Sequence, residues 1–60
     1  MDAYSFGEHA LRRFDAEISA VEQHIINGTP QDYQQYKVMT AKRDALIGCR
    51  AIIVDLIKNL

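Results

Sequence analysis

Asn27-Gly28-Thr29-Pro30, four residues near the middle of the 60-residue chain, decide how the sequence can fold. Asn27 or Gly28 can take the left-handed backbone conformation that commonly ends α-helices. Thr29 is then a favourable N-cap, and Pro30 suits the first position of a new helix, where its missing amide hydrogen costs nothing. An end and a start this close together predict two antiparallel neighbouring helices. A single long helix is the alternative, which Gly28 and Pro30 disfavour.

The segment before the turn has the pattern of one amphipathic helix, predicted over about residues 3–27. Its apolar residues recur at alternating intervals of three and four, which is a heptad seam. The seam consists of Leu11, Phe14, Ile18, Val21 and Ile25, extended backwards by Tyr4 and Gly7. Ser5 and Glu8 have the spacing of a capping box, and Asp2 is a rival N-cap. The helix should therefore begin between residues 3 and 6.

The segment after the turn is predicted to be a second helix over about residues 30–59. Its main seam comprises Met39, Leu46, Ile53 and Leu60, with Cys49 and Leu56 between them, Tyr36 extending it towards the turn and Lys42 interrupting it. A second apolar stripe comprises Val38, Ala41, Ala45, Ile52 and Tyr33. A helix with one neighbour needs an apolar arc of roughly 100°. The arc of helix 2 is wider, so we expect this helix to have two neighbours.

Self-association follows from this excess of apolar surface and from the length of the chain. A 60-residue domain has a marginal core, and its single cysteine, Cys49, cannot form an intramolecular disulfide. We therefore predict an all-α protein in which residues 1–60 form a single antiparallel two-helix hairpin. The hairpins should associate into a four-helix bundle or a larger coiled-coil-like helical assembly. The predicted oligomer interface comprises Leu46, Ile47, Ile52, Ile53, Val54, Leu56 and Ile57.

The sequence offers no pattern typical of an enzyme, a metal site or a cofactor site. His9 and His24 are separated by more than about 20 Å along one helix, so one chain cannot chelate a metal with both. Cys49, placed in the seam, is expected to be a buried apolar residue rather than a reactive thiol. A formal net charge of −1 gives no general argument for nucleic acid or a membrane surface. We expect no catalysis, no cofactor and no small-molecule substrate.

One segment combines aromatic and basic side chains, which is a pattern that can bind nucleic acid or a partner protein. These residues are Tyr33, Tyr36, Lys37, Lys42 and Arg43. Tyrosines can stack on bases while basic side chains contact phosphates. The alternative, which we favour, is that Tyr36 packs near the turn and the basic residues pair with acids of helix 1. The net charge of helix 2 is only weakly basic, because acidic residues dilute the basic ones.

Four segments together give the chain a resemblance to known sequences: Arg12-Arg13-Phe14-Asp15-Ala16-Glu17-Ile18, Gly28-Thr29-Pro30, Asp32-Tyr33-Gln34-Gln35-Tyr36-Lys37 and Lys42-Arg43-Asp44-Ala45-Leu46. The pattern resembles small open reading frames of tailed bacteriophages, which are similar in length and have no assigned chemistry. In architecture the chain also resembles Rop, a plasmid regulator that binds RNA as a four-helix-bundle dimer, although no residues match its RNA-contacting face. The fold is what such an analogy supports.

These resemblances lead to two expected functions. The first is a non-enzymatic structural or protein-interaction module, an accessory virion component or a binder of a host protein, whose partners are copies of itself and another protein. The alternative is a nucleic-acid-binding regulator similar to Rop. The N-terminal residues lack the basic start and apolar run of a signal peptide, and no apolar run is long enough to span a membrane. We therefore expect a cytoplasmic protein, in the host cytoplasm or the virion if phage-encoded.

Overall fold

The computed structural model describes residues 2–60, which form two α-helices joined by a short linker. Helix α1 spans Ala3–Ile26 and helix α2 spans Tyr33–Lys58. The two helices are antiparallel, since Gly7 near the start of α1 lies against Ile57 near the end of α2. The molecule measures 43 × 15 × 12 Å, and one helix with its side chains is about 10–12 Å across. The predicted all-α hairpin is confirmed, as a single layer of two helices.

Helix α1 begins at Ala3 because Asp2 acts as its N-cap. The Ser5 amide donates a hydrogen bond of 2.7 Å to Oδ1 of Asp2, which satisfies one of the free N–H groups of the first turn. Ser5 itself lies inside the helix. The predicted capping box between Ser5 and Glu8 is therefore wrong, and the rival N-cap, Asp2, is the one that forms.

Helix α1 ends in a Schellman motif centred on Gly28. The Gly28 amide donates to the Ile25 carbonyl at 3.2 Å, and the Thr29 amide donates to the His24 carbonyl at 3.0 Å. This pair of bonds requires a left-handed residue after the last helical turn. Gly28 supplies it with a φ of 76°. Of the two residues predicted to end the first helix in a left-handed conformation, Gly28 is the one that adopts it, and Asn27 is the C-cap before it.

Helix α2 begins at Tyr33, later than the predicted start at Pro30, because its N-cap is Asp32. The Gln35 amide donates to Oδ1 of Asp32 at 2.8 Å, and the Gln31 amide donates to Oε1 of Gln35 at 2.9 Å. The proposed N-cap at Thr29 and first helical position at Pro30 are wrong. The sequence does contain the signal, since Asp32 and Gln35 have capping-box spacing.

The predicted seam of α1 faces α2. Among the described residues Val21 is the one buried hydrophobic side chain, with 7% of its surface exposed. The other seam residues are half-buried: Leu11, Phe14, Ile18 and Ile25. Gly7 extends the seam as predicted and is buried, whereas Tyr4 is exposed. One apolar face of α1 is thus used for packing, as the heptad pattern indicates.

The seam of α2 follows the prediction at three positions and differs from it elsewhere. The half-buried residues that recur at intervals of three and four are Met39, Arg43, Leu46, Arg50, Ile53 and Ile57. Met39, Leu46 and Ile53 confirm the prediction. The other residues predicted for the seam are exposed instead: Tyr36, Cys49, Leu56 and Leu60. Lys42, predicted to interrupt the seam, is also exposed.

Two contacts with α1 account for this choice of face. Gly7 leaves room for the Ile57 side chain, and Nε of Arg50 lies 2.6 Å from Oδ1 of Asp15. Arginine is tolerated in the seam because its aliphatic stem can cover apolar surface while the guanidinium stays in water. The intermediate seam position therefore falls four residues after Met39, Leu46 and Ile53, not three.

The register of the hairpin also differs from the one expected for a tight turn. A turn centred at Gly28–Thr29 predicts that Phe14 lies near Arg43 or Leu46. The residue next to Phe14, Asp15, instead pairs with Arg50. In this part of the hairpin the residues of α2 that face α1 are therefore about seven positions later in the sequence than expected. The cause is the linker, which runs from 27 to 32 and lets the first turn of α2 extend beyond the end of α1. Residues 31–38 are consequently all exposed.

Candidate interaction surfaces

The residues predicted to form the oligomer interface lie on different sides of α2. Four are half-buried: Leu46, Ile53, Val54 and Ile57. Three are exposed: Ile47, Ile52 and Leu56. At 100° per residue, Ile47 points away from Ile52 and Leu56 by more than about 130°. A single partner helix can therefore cover Ile52 and Leu56 together, but not Ile47 as well.

An exposed apolar stripe runs along α2 on the side that α1 does not cover. We define the apolar stripe as Val38, Ala41, Ala45, Cys49, Ile52 and Leu56. These positions fall within an arc of roughly 80° on the helix surface. Val38, Ile52 and Leu56 have 67%, 60% and 60% of their surfaces exposed. Most of the second stripe predicted from the sequence is thus present, and Cys49, predicted to be buried in the main seam, belongs to it.

The apolar stripe leads into a groove at the open end of the hairpin, where the start of α1 lies beside the end of α2. The groove has a volume of about 230 Å³ and is lined by Ala3, Phe6, Gly7, Ile53, Leu56, Ile57 and Leu60. Phe6 and Leu60 are largely exposed at its rim. The register expected for a tight turn sets Phe6 near Ile53 and Ile57. That part of it is confirmed, since all three residues line the groove.

The aromatic and basic segment divides into two parts in the structure. The rings of Tyr33 and Tyr36 stack with centroids 6.5 Å apart, and Nζ of Lys37 lies 5.6 Å from the centre of the Tyr33 ring. Lys42 lies on the opposite side of α2 from Tyr33, since nine residues correspond to about 180°. Arg43 is half-buried in the seam and reaches Asp44 at 3.4 Å. Only Tyr33, Tyr36 and Lys37 form one exposed cluster.

The predicted pairing of these basic residues with acids of α1 is not the arrangement found. Lys37 lies over a tyrosine ring, and Arg43 pairs within its own helix. The ion pair between the two helices is made instead by Arg50 of α2 with Asp15 of α1. Tyr36 does not pack into the turn either, since 45% of its surface is exposed. The Tyr33–Tyr36–Lys37 cluster is therefore available to a partner.

Titratable groups are scattered over the surface. His9, His24 and Cys49 are all exposed and lie apart along the helices. Across residues 2–60 no three histidine, cysteine or acidic side chains come together as metal ligands do. The hydrogen bond from the Ser5 amide lowers the pKa of the Asp2 carboxyl below its ordinary value of 3.8. This shift follows from helix capping and does not indicate a reactive site.

Neither α1 nor α2, within the described part of the chain, combines the length and apolar character needed to cross a lipid bilayer. The surfaces that distinguish this molecule are therefore the apolar stripe with its end groove and the Tyr33–Tyr36–Lys37 cluster. In comparisons with known proteins, the chain matches no family, no curated protein and no solved structure.

Proposed function

We propose that this chain is a non-enzymatic structural or protein-interaction module that works as a self-associated helical hairpin. The observation that carries the proposal is the apolar stripe, which exposes Val38, Ile52 and Leu56 on one side of α2. A soluble monomer rarely leaves a contiguous apolar surface of this kind uncovered. The hairpin itself has little core to offset this exposure, because Val21 is its one buried hydrophobic side chain among the described residues.

The free energy available from covering the apolar stripe is comparable with the free energy of micromolar binding. Full burial of a large aliphatic side chain stabilises by roughly 1.5–3 kcal/mol. Val38, Ile52 and Leu56 each retain about two thirds of their surface. In two copies these six side chains would contribute on the order of 6–12 kcal/mol before the cost of association, against about 8 kcal/mol for micromolar binding. A four-helix bundle of two hairpins is the assembly that we propose.

The resemblance to small bacteriophage reading frames suggests the setting for such a module. An accessory component of the virion, or a small protein that binds a host protein, would act through a helical surface rather than through chemistry. In a bundle that covers the apolar stripe, the Tyr33–Tyr36–Lys37 cluster would stay accessible on another side of α2. It is the part of the molecule that we propose for contact with a second protein.

Introduction of a negative charge on the apolar stripe of α2 tests self-association. Ile52→Glu should convert the assembly to monomers in analytical ultracentrifugation at micromolar concentration, and much of the helical circular dichroism should be lost with it. Ala51→Glu is the matched control, since Ala51 is exposed and lies about 100° away from the apolar stripe. It should associate as the unmodified protein does. A folded, monomeric unmodified protein at this concentration would contradict the proposal.

The second candidate function, a nucleic-acid-binding regulator similar to Rop, is favoured by one observation. Stacked tyrosines with a lysine beside them, as in Tyr33, Tyr36 and Lys37, can bind single-stranded bases and phosphates. Retention of RNA or DNA should then fall steeply with added salt, because phosphate contacts release counterions. Lys37→Gln should weaken retention, whereas Lys58→Gln, at the far end of α2, should not. Absence of retention at low ionic strength would exclude this function.

A further inference from the structure

We infer that the partner of the apolar stripe is a second copy of the chain, packed antiparallel so that the two-fold axis passes between Gly48 and Cys49. This inference rests on the proposed self-association and specifies its geometry. In this dimer, α2 packs against α2 of the second copy, and α1 of each hairpin lies on the outside. Three observations carry it: an unexplained glycine, the order of small and large residues in the apolar stripe, and the position of the end groove.

Gly48 has no packing role within the hairpin. A Cβ atom built on Gly48 meets nothing within 4 Å, whereas one built on Gly7 lies 2.8 Å from two atoms of Ile57. A glycine inside a helix costs about 1 kcal/mol relative to alanine. At Gly7 the close approach of α2 accounts for that cost. The same explanation at Gly48 requires a helix from outside the hairpin, whose backbone approaches closely beside the apolar stripe.

The apolar stripe is self-complementary only in the antiparallel sense. Its half before Gly48 contains the small residues Ala41 and Ala45, and its half after Gly48 contains the large residues Ile52 and Leu56. The pairs Ala41–Leu56 and Ala45–Ile52 share one midpoint, between residues 48 and 49. A two-fold axis at that midpoint sets each alanine of one copy opposite a large residue of the other.

A parallel arrangement would match the apolar stripe poorly. Each residue would face its own equivalent, so Ala41 and Ala45 would leave voids while Ile52 and Leu56 would force the helices apart. Voids and overpacking both destabilise a protein interior. The antiparallel arrangement instead gives nearly constant side-chain volume along the contact, which close packing requires.

The ends of the hairpin fit the same arrangement. Val38 lies at one end of the apolar stripe, and the groove with Phe6 and Leu60 lies at the other. The two-fold axis brings Val38 of each copy to the groove of the other, so that all three exposed side chains become covered.

Single cysteines report on this geometry. In a Cys49→Ala background, one protein carries Ala41→Cys and another carries Leu56→Cys, and each is oxidised with copper phenanthroline at a concentration where ultracentrifugation shows dimers. Antiparallel packing keeps identical cysteines about 22 Å apart, beyond the ~7 Å limit for a disulfide. Each variant alone should stay uncrosslinked. An equimolar mixture, unfolded and refolded together, should give a crosslinked species with the mass of one chain of each.

The outcomes separate this inference from the proposed function. Dimers that crosslink within each variant alone would show parallel packing and overturn the inference while self-association stands. Dimers that crosslink in no sample would also overturn it, since a different surface must then be in contact. Monomers throughout would overturn the proposed self-association as well. As an independent check, Gly48→Leu should weaken association at least tenfold without loss of monomer helicity, and unchanged association would refute close approach at Gly48.

Discussion

The approach of the two helices at Gly7 gives a prediction whose sign can be reversed by a second substitution. In an exposed helix, Gly→Ala stabilises by about 1 kcal/mol. At Gly7 the new methyl group would lie 2.8 Å from Cδ1 and Cγ1 of Ile57, well inside the 3.5–4.0 Å of an ordinary carbon contact. Relieving such an overlap costs about 1–3 kcal/mol, through an off-rotamer side chain or a shift of the backbone. Gly7→Ala should therefore destabilise, by up to about 2 kcal/mol.

Removal of the opposing Ile57 side chain should restore the stabilisation that Gly→Ala usually gives in a helix. In an Ile57→Ala background the overlap disappears, so Gly7→Ala should stabilise by about 1 kcal/mol, and the double-mutant cycle should give a coupling of roughly 1–3 kcal/mol. In a domain of this length 1 kcal/mol corresponds to a shift of about 4–8 °C in melting temperature.

Thermal unfolding followed by circular dichroism measures all four proteins at one fixed concentration, since self-association would shift the melting temperature by mass action. Ile57→Ala alone is expected to destabilise the hairpin, so the cycle is measured with trimethylamine N-oxide present to keep every variant folded. An equal rise in melting temperature on Gly7→Ala in both backgrounds would refute the contact, and with it the register of the hairpin.

Two further predictions concern the helix N-caps. Asp32→Ala should destabilise by about 1 kcal/mol because the Gln35 amide loses its acceptor, while Thr29→Ala should change stability by less than about 0.5 kcal/mol; the reverse order in thermal unfolding would place the start of α2 at Thr29. The pKa of Asp2 is lowered by folding, so its contribution to stability is present above its unfolded value of 3.8 and is lost as pH falls through the folded value. Asp2→Asn, which keeps a capping oxygen, should flatten the fall in melting temperature below pH 3.8, and identical pH profiles would show that the cap is absent.

The sequence predicts α1 well and α2 less well, for a physical reason. The apolar residues of α1 form one narrow face, so its seam from Leu11 to Ile25 follows directly from the heptad pattern. The apolar arc of α2 is wide, and two faces separated by a small rotation, one through Cys49 and one through Arg50, compete for α1. Contacts distant in sequence, from Gly7 to Ile57 and from Asp15 to Arg50, favour the second face. The periodicity of α2 alone contains no such information.

The register error has a related origin. A shift of one heptad leaves a repeating seam almost unchanged, because Leu46 and Ile53 occupy equivalent positions seven residues apart. The two registers require linkers of different length, and that length depends on whether Thr29 or Asp32 caps α2. Which residues share an exposed surface of α2 also depends on the face that packs against α1. The basic residues Lys42 and Arg43 follow the tyrosines closely in sequence, yet helix geometry directs them to other sides.

The extension of α2 beyond the end of α1 has a consequence for how the hairpin folds. Residues 31–38 are all exposed, so the contacts between helices nearest to the linker join Ile25 to the region of Met39. The first contact must therefore close a loop of about fourteen residues, which costs about 1 kcal/mol more in chain entropy than closing a tight turn of four or five. The linker brings the helices together without starting their pairing. We therefore expect docking to begin from helical segments that are already partly formed, so that substitutions that change helix propensity alter the folding rate more than substitutions in the linker.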